Sequence, residues 1–319
     1  MGKIEVESSK RPSRWFRILP VKSLVVVLVL LSSLSPQKPE WCRKLSRPAY
    51  RTLERIAVKD PWFEVYKIRP GVLAIYEPHQ SEEVISYLIL GTKRALLFDT
   101  GMGISNIREV VEGLTTLPVS VLNSHTHDDH VGDNWRFSDI YGMATDFTRT
   151  NAKGSREDAQ AEIAPGEVCG DLPPGFNPAE YVTKPFHISH WIHDHEKIDL
   201  GGRILEIIAT PGHTPDAIAL LDEKNGLLFT GDTFYVGPIW LYRPETDLDA
   251  YVASVKKLAS LAPKLQLLLP AHNTPVAEPG YLPRVVEAME QVRSGKVKAV
   301  PKNGKQEYRF PGFSFLMSK

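Results

Sequence analysis

The chain has 319 residues, 42% hydrophobic and 24% charged, enough to bury one large core and too apolar for a disordered chain. Its 38 basic and 38 acidic side chains balance, which excludes the global basic surface that nucleic-acid binding usually shows. There is no internal repeat or long low-complexity tract, although 25 prolines point to many rigid loops.

Residues 1–40 differ in character from the rest of the chain. Lys3, Lys10, Arg11, Arg14, Arg17 and Lys22 form a basic leader ahead of the apolar run Leu24–Leu34, broken only by Ser32 and Ser33. That run is shorter than the roughly 20 residues a bilayer-crossing helix needs. It fits the hydrophobic region of a secretory signal, with Ser33 and Ser35 near a cleavage point. Pro36 hinders cleavage after Ser35, so an uncleaved membrane anchor is the alternative. Either way the expectation is an exported protein, periplasmic or secreted, or one associated with a membrane through this segment, rather than a cytoplasmic one. Residues 41–60 read as a linker and 61–319 as one folded domain. Cys42 and Cys169 are the only cysteines and lie in no Cys-x-x-Cys spacing; the expectation is two unpaired structural thiols.

From Pro61 the β-rich runs Trp62–Ile68, Val72–Tyr76, Val84–Leu90 and Ala95–Phe98, bounded by Pro, Gly and polar clusters, predict an antiparallel meander. A helix is predicted over Ile104–Leu114, then strands at Ile140–Met143, Ile204–Ala209, Ile218–Leu221 and Leu227–Thr230. Thr246 or Asp247 caps a helix in which Leu248, Tyr251, Val252, Val255, Leu258 and Leu261 recur at helical spacing. Leu265–Leu269 resumes a strand, Arg284–Val292 a helix, and Tyr308–Phe315 an edge strand. Strands first, then strands mixed with helices, predict an α/β (α+β) fold of two sheets face to face with helices outside.

The most informative segment is His125-Thr126-His127-Asp128-Asp129-His130, just after the apolar stretch 119–123. Imidazole nitrogens and carboxylate oxygens are the ligands that zinc and similar divalent ions take, and so many desolvated polar groups in one turn are costly unless something pairs with them. In an extended segment His125, His127 and Asp129 share one side, and His130 turns with the bend into the next element. Three more strands end on a ligand-type residue: Ile207–Gly212 presents His213, Leu227–Gly231 presents Asp232 and Leu267–Ala271 presents His272. Each alone is an ordinary turn residue, but together they supply seven potential ligands, enough for two ions sharing a carboxylate.

These segments, with Phe98-Asp99-Thr100-Gly101, resemble in type and order the motifs of the metallo-β-lactamase superfamily, over roughly Trp62–Val292. The resemblance implies an αββα sandwich. It also implies two zinc ions: His125, His127 and His213 on one, Asp129, His130 and His272 on the other, Asp232 bridging, and Asp99 orienting a ligand histidine. The implied chemistry is attack of a metal-bridging hydroxide on an acyl carbon. β-Lactamases of the superfamily generally carry Cys or Ser at the bridging position. Asp232 therefore moves the expectation to an ester, lactone or thioester, as in glyoxalase II-like, lactonase and acyl thioesterase members. A β-lactamase and an iron-dependent redox enzyme are the alternatives. Asp129 and Tyr235 are the candidate catalytic residues, Asp129 mainly as a ligand and Tyr235 at the offset where relatives aim a hydroxyl at the carbonyl, with core packing as its plain alternative. Val131-Gly132-Asp133 departs from the family's usual Gly-Gly. His187, His190, His193 and His195 read as a half-buried strand rather than a further metal site, and His79 receives no role. The long segment between Met143 and Lys184 is expected over the site, and Ile239–Arg243 is expected to supply apolar walls and a cation for a small-molecule acyl substrate.

Overall fold

The computed structural model describes residues 1–2 and 38–319, so the basic leader and the apolar run Leu24–Leu34 lie outside the described residues. Among the described residues no helix is long and apolar enough to cross a membrane.

The first half builds one eight-stranded mixed sheet in chain order: β1 (Glu54–Ile56), β2 (Glu64–Arg69), β3 (Val72–Tyr76), β4 (Ile85–Leu90), β5 (Ala95–Phe98), β6 (Val119–Leu122), β7 (Ile140–Met143) and β8 (His190–Ile192). The first five pair antiparallel, the expected meander, and β5 to β8 pair parallel. The second sheet comprises β9 (Lys197–Asp199), β10 (Ile204–Ala209), β11 (Ile218–Asp222), β12 (Leu227–Gly231) and β14 (Leu267–Pro270), in the order β14-β12-β11-β10-β9. A third, smaller sheet was not expected. It holds β13 (Gly237–Leu241) beside β17 (Phe313–Met317), β16 (Lys305–Phe310) and β15 (Val300–Lys302). The predicted edge strand Tyr308–Phe315 is instead a hairpin folded at Pro311-Gly312, and β17 is an interior strand.

Side-chain alternation explains the layering, since a period of two sends successive residues to opposite faces. Val72, Ala74 and Tyr76 of β3 and Ile85, Tyr87 and Ile89 of β4 meet Leu205 and Ile207 of β10 and Leu227 and Phe229 of β12 between the two large sheets. On the outer face of the first sheet Leu73, Ile75 and Leu88 pack with Ile107, Val110 and Val111 of α1 (Ile107–Leu114). On the outer face of the second, Leu228 and Leu268 pack with Val255 and Leu258 of α5 (Leu248–Leu261) and Val285 and Met289 of α6 (Tyr281–Arg293). The αββα order is that of the resemblance. Asp247 caps α5, accepting from the amides of Asp249 and Ala250.

Two expectations are corrected at the N-terminal side. Residues 41–60 do not form a linker: Tyr50 is buried against Tyr66 and Tyr76, β1 pairs with β2, and Arg47 reaches Glu83 and the Asn273 side chain. Cys42 and Cys169 are not free thiols but a disulfide, their Cα atoms 5.7 Å apart. Trp41 Nε1 adds a 2.8 Å bond to Gly166 O, and the backbone of Cys169 donates to His79 O at 2.7 Å. His79, expected to have no role, thus helps hold the loop to which the N-terminal arm is tied.

Candidate metal centre

β5 and β6 run parallel; β10, β12 and β14 likewise share a direction, because β11 is antiparallel to both β10 and β12. Their C-terminal ends meet at one edge of the sandwich and deliver Asp99, the run His125–His130, His213, Asp232 and His272. Backbone bonds join the sheets there, from Ile218 N to Ser124 O and from Ile85 N to Ala271 O, both 2.7 Å. Gly231 has φ +49°, and a Cβ there would stand 2.7 Å from Ser124 Cβ, so a larger residue would push the Asp232 turn away from the histidine run. Gly132 ends the short helix α2 (Asp128–Val131), and its Cβ would fall 2.1 Å from the backbone carbon of Met102. The departure from Gly-Gly is accommodated one residue later: Asp133 accepts from Ile107 N at 2.9 Å and pairs with Arg136 at 2.6 Å, bracing α1.

All seven sequence-predicted ligands come together. His125, His127 and His213 form one group, His125, His130 and Asp232 a second, and Asp129, His130 and His272 a third; within each group the ligand atoms lie within 4.8 Å of one another. Four of the five rings are aimed from behind. His130 Nδ1 donates to Asp99 Oδ2 at 3.0 Å, His213 Nδ1 to Trp240 O at 2.8 Å, His272 Nδ1 to Glu82 O at 2.7 Å, and His127 Nε2 to Glu245 Oε1 at 2.7 Å. Because those acceptors hold no proton, these partners assign the tautomers and leave the opposite nitrogen of each ring facing the cluster.

Two observations fit a cation here. His127 Nδ1 and His213 Nε2 lie 3.2 Å apart with both protons directed elsewhere, an approach that only a shared proton or a cation makes attractive. His130 Nε2 and Asp232 Oδ1 are buried without a hydrogen-bond partner, although Asp232 Oδ1 is only 3.0 Å from His272 Nε2. Asp232 Oδ2 does bond His272 Nε2 at 3.2 Å, but His130 Nε2 and Asp232 Oδ1 stay unpaired, and burying them so is costly.

The two halves differ electrostatically. Burial and the neighbouring imidazoles hold His125 well below its usual range, and burial takes His213 down to about 4. Burial acts the same way on His130 and His272, but the carboxylates of Asp129, Asp99 and Asp232 outweigh it at His130, and those of Asp232 and Asp129 at His272, so both are raised.

Tyr235 is buried with its ring against His272, and its hydroxyl donates to Pro238 O at 2.8 Å while accepting from Trp240 N at 3.2 Å. The hydroxyl expected to face a substrate carbonyl is engaged in fixing Trp240, whose own carbonyl orients His213. Sequence reasoning missed Glu245, Glu82 and Glu162, which border the cluster from two loops and the end of a helix and carry no motif signal. The long insertion does reach the site: α3 (Asp146–Asn151) and α4 (Glu157–Glu162) place Phe147, Asn151 and Asp158 around a cavity of about 320 Å³ beside His127. The other histidine tract lies along the sheet edge, His190 paired with Asp139 at 2.8 Å and His195 with Glu206 at 2.9 Å.

The family model of the metallo-beta-lactamase superfamily matches residues 83–272, more than half of the chain. The acyl-coenzyme A thioesterase MBLAC2 of Homo sapiens is 24% identical over 234 residues, covering 68% of this chain and 84% of that protein, and its Gallus gallus counterpart is 24% identical over 224 residues, covering 66% and 80%. Among solved structures, a beta-lactamase domain protein from Burkholderia ambifaria superposes with a TM-score of 0.53 at 20% identity, covering 76% of this chain and 81% of that one, a likeness of fold. With the site at the strand ends and its donors oriented as the fold's divalent metal ions require, the chain is a hydrolase belonging to the metallo-beta-lactamase superfamily.

Proposed function

We propose that the chain is a dinuclear zinc-dependent hydrolase of acyl thioesters or esters, in which His125, His127 and His213 hold one ion, Asp129, His130 and His272 the other, and Asp232 is shared. The observation that carries this is the convergence of seven candidate ligand residues, four of whose five imidazoles are held by bonds to their opposite nitrogens. A nitrogen and oxygen donor set suits zinc. Asp232 stands between the halves, its Oδ2 3.6 Å from His213 Nε2 and 3.2 Å from His272 Nε2 and its Oδ1 3.5 Å from His130 Nε2, where a shared ligand would sit. The relatives named acyl-coenzyme A thioesterases favour a thioester, and an aspartate at position 232 speaks against a β-lactam.

Bound ions would acidify a water and polarise the acyl carbonyl. The protein's own contribution is orientation: Asp99, Glu82, Glu245 and Trp240 keep lone pairs of His130, His272, His127 and His213 on the cluster before substrate arrives. A disulfide suits an oxidising compartment, which supports export through residues 1–40.

Metal analysis of the purified chain, with thioester, ester, lactone and β-lactam substrates run in parallel, tests the proposal. Two zinc ions per chain and thioester turnover are expected, with turnover lost and metal content lowered in His127→Ala. One iron per chain without acyl hydrolysis, or undiminished turnover in that variant, would overturn it.

A further inference from the structure

Arg47 lies on the N-terminal arm between two anchors: Cys42, whose disulfide ties the arm to Cys169, and Tyr50, which is buried against Tyr66 and Tyr76. Its guanidinium reaches inward. Nε donates to Glu83 Oε2 at 2.7 Å, while Nη2 donates to Glu83 Oε1 at 2.5 Å and to Asn273 Oδ1 at 2.6 Å. That uses most of the donors the guanidinium fork has. A bidentate hold of this kind fixes direction as well as distance. The Glu83 carboxylate is buried and also accepts from the Tyr76 hydroxyl at 2.5 Å.

The two residues that Arg47 holds flank the contact that aims His272. Glu83 follows Glu82, whose carbonyl accepts from His272 Nδ1 at 2.7 Å, and Asn273 follows His272 itself. The same two segments are joined again from Asn273 N to Glu83 O at 3.2 Å, and Val84 stands opposite His272 in an isolated bridge. Glu83 and Asn273 both have left-handed backbones, with φ of +48° and +65°. A residue with a side chain keeps that conformation only where its surroundings hold it, and asparagine tolerates it better than glutamate. The guanidinium supplies the hold, because it bridges the side chains of the two residues whose backbones frame the His272 contact. Without it Glu83 is a buried carboxylate deprived of its cation, a state that drives the side chain toward water and the adjoining Glu82 carbonyl away from the ring.

We propose that Arg47 is a positioning residue of the metal centre: through Glu83 and Asn273 it keeps Glu82 O on His272 Nδ1, and so keeps His272 Nε2 on the ion. The N-terminal arm is thereby part of the site. The proposal rests on the cluster binding metal, as the reading above has it.

Arg47→Met combined with Glu83→Gln removes the clamp without leaving a buried charge alone, and so serves where Arg47→Met by itself does not fold. In chelator competition on the zinc-loaded full chain, one of the two ions should be held about tenfold more weakly in this double variant, the lower end of the loss that follows removal of a ligand's outer partner, and the other as in the wild type. A merely structural role would weaken both ions in step. In a His272→Ala background, where that ligand is already gone, the same two changes should leave the affinity of the remaining ion unaltered. A second readout needs no metal: in the metal-free chain the His272 Nδ1 proton, followed by 15N-edited NMR, should exchange with water faster in the double variant than in the wild type. Equal weakening of both ions, unchanged affinity for both, further weakening in the His272→Ala background, or an unchanged exchange rate overturns the proposal. If the wild type binds no zinc while the ring proton still exchanges faster in the variant, the hydrolytic reading falls and the clamp on His272 stands.

Discussion

Asp99→Asn tests the link between the fold and the metal centre most directly, because Asp99 is fully buried and each carboxylate oxygen has one partner. Oδ1 accepts from Ser124 N at 2.6 Å and Oδ2 accepts from His130 Nδ1 at 3.0 Å. Asparagine keeps one oxygen and replaces the other with a donor. If the oxygen stays on His130, the new NH2 meets the amide of Ser124, and one buried bond to a charged acceptor is lost, about 1.5–3 kcal/mol of folding stability. If the amide turns round, His130 Nδ1 must become an acceptor, its proton moves to Nε2, and the lone pair that faces Asp129 and Asp232 disappears. A misdirected ligand of this kind lowers metal affinity by roughly 10–100-fold, about 1.4–2.8 kcal/mol. The chain takes the cheaper route, so a cost of at least about 1.4 kcal/mol must surface in one of the two measurements. Competition of the weaker-held ion against a chromophoric chelator reads the second, and urea unfolding of the metal-free chain reads the first. The two variants of the amide orientation also differ in the 15N shifts of the His130 ring. Wild-type values in both titrations would refute the assignment of Asp99 as the residue that aims His130.

Tyr235→Phe should lower stability by about 1 kcal/mol, the usual worth of a buried hydroxyl bond, while changing turnover little, since that hydroxyl holds Pro238 and Trp240 rather than substrate; a tenfold or greater loss of kcat with an unchanged unfolding midpoint would contradict it. Cys42→Ser opens a loop with a sequence separation of 127 residues, for which the chain-entropy limit is about 5 kcal/mol, and the observed loss should fall at roughly 2–5 kcal/mol. Denaturation of the wild type with and without reductant should give the same difference, and coincident midpoints would count against the bridge. Acidification of the zinc-loaded chain should empty the half containing Asp129, His130 and His272 first. His130 and His272 are raised and take up protons earlier as pH falls than His125, which is lowered, and His213, which stands at about 4. Metal content measured after dialysis at stepped pH should therefore drop in two stages, and simultaneous loss of both ions would show the order to be wrong.

The strands and the candidate ligands were legible because each is written locally. Val72-Leu73-Ala74-Ile75-Tyr76 is buried on both faces and reads as an uninterrupted apolar run, and His213, Asp232 and His272 each stand just beyond such a run, where a strand end must put them. The third sheet was not legible for a physical reason: β13 opens on Gly237-Pro238 and the β16–β17 hairpin folds at Pro311-Gly312, so both segments read as punctuation, and their pairing is a parallel contact between distant parts of the chain. The Cys42–Cys169 bridge was hidden likewise, since neither residue's neighbours record the other. The same separation runs through the site. What binds the ions sits in motifs, because a strand end and a turn suffice to place one ligand. The cavity beside His127 does not, because Asp128, Thr183 and Arg243 line it together only after α2, the long insertion and the chain beyond β13 have packed. Asp128 shows the divide within two residues: it stands inside the ligand run, next to Asp129, yet it lines that cavity.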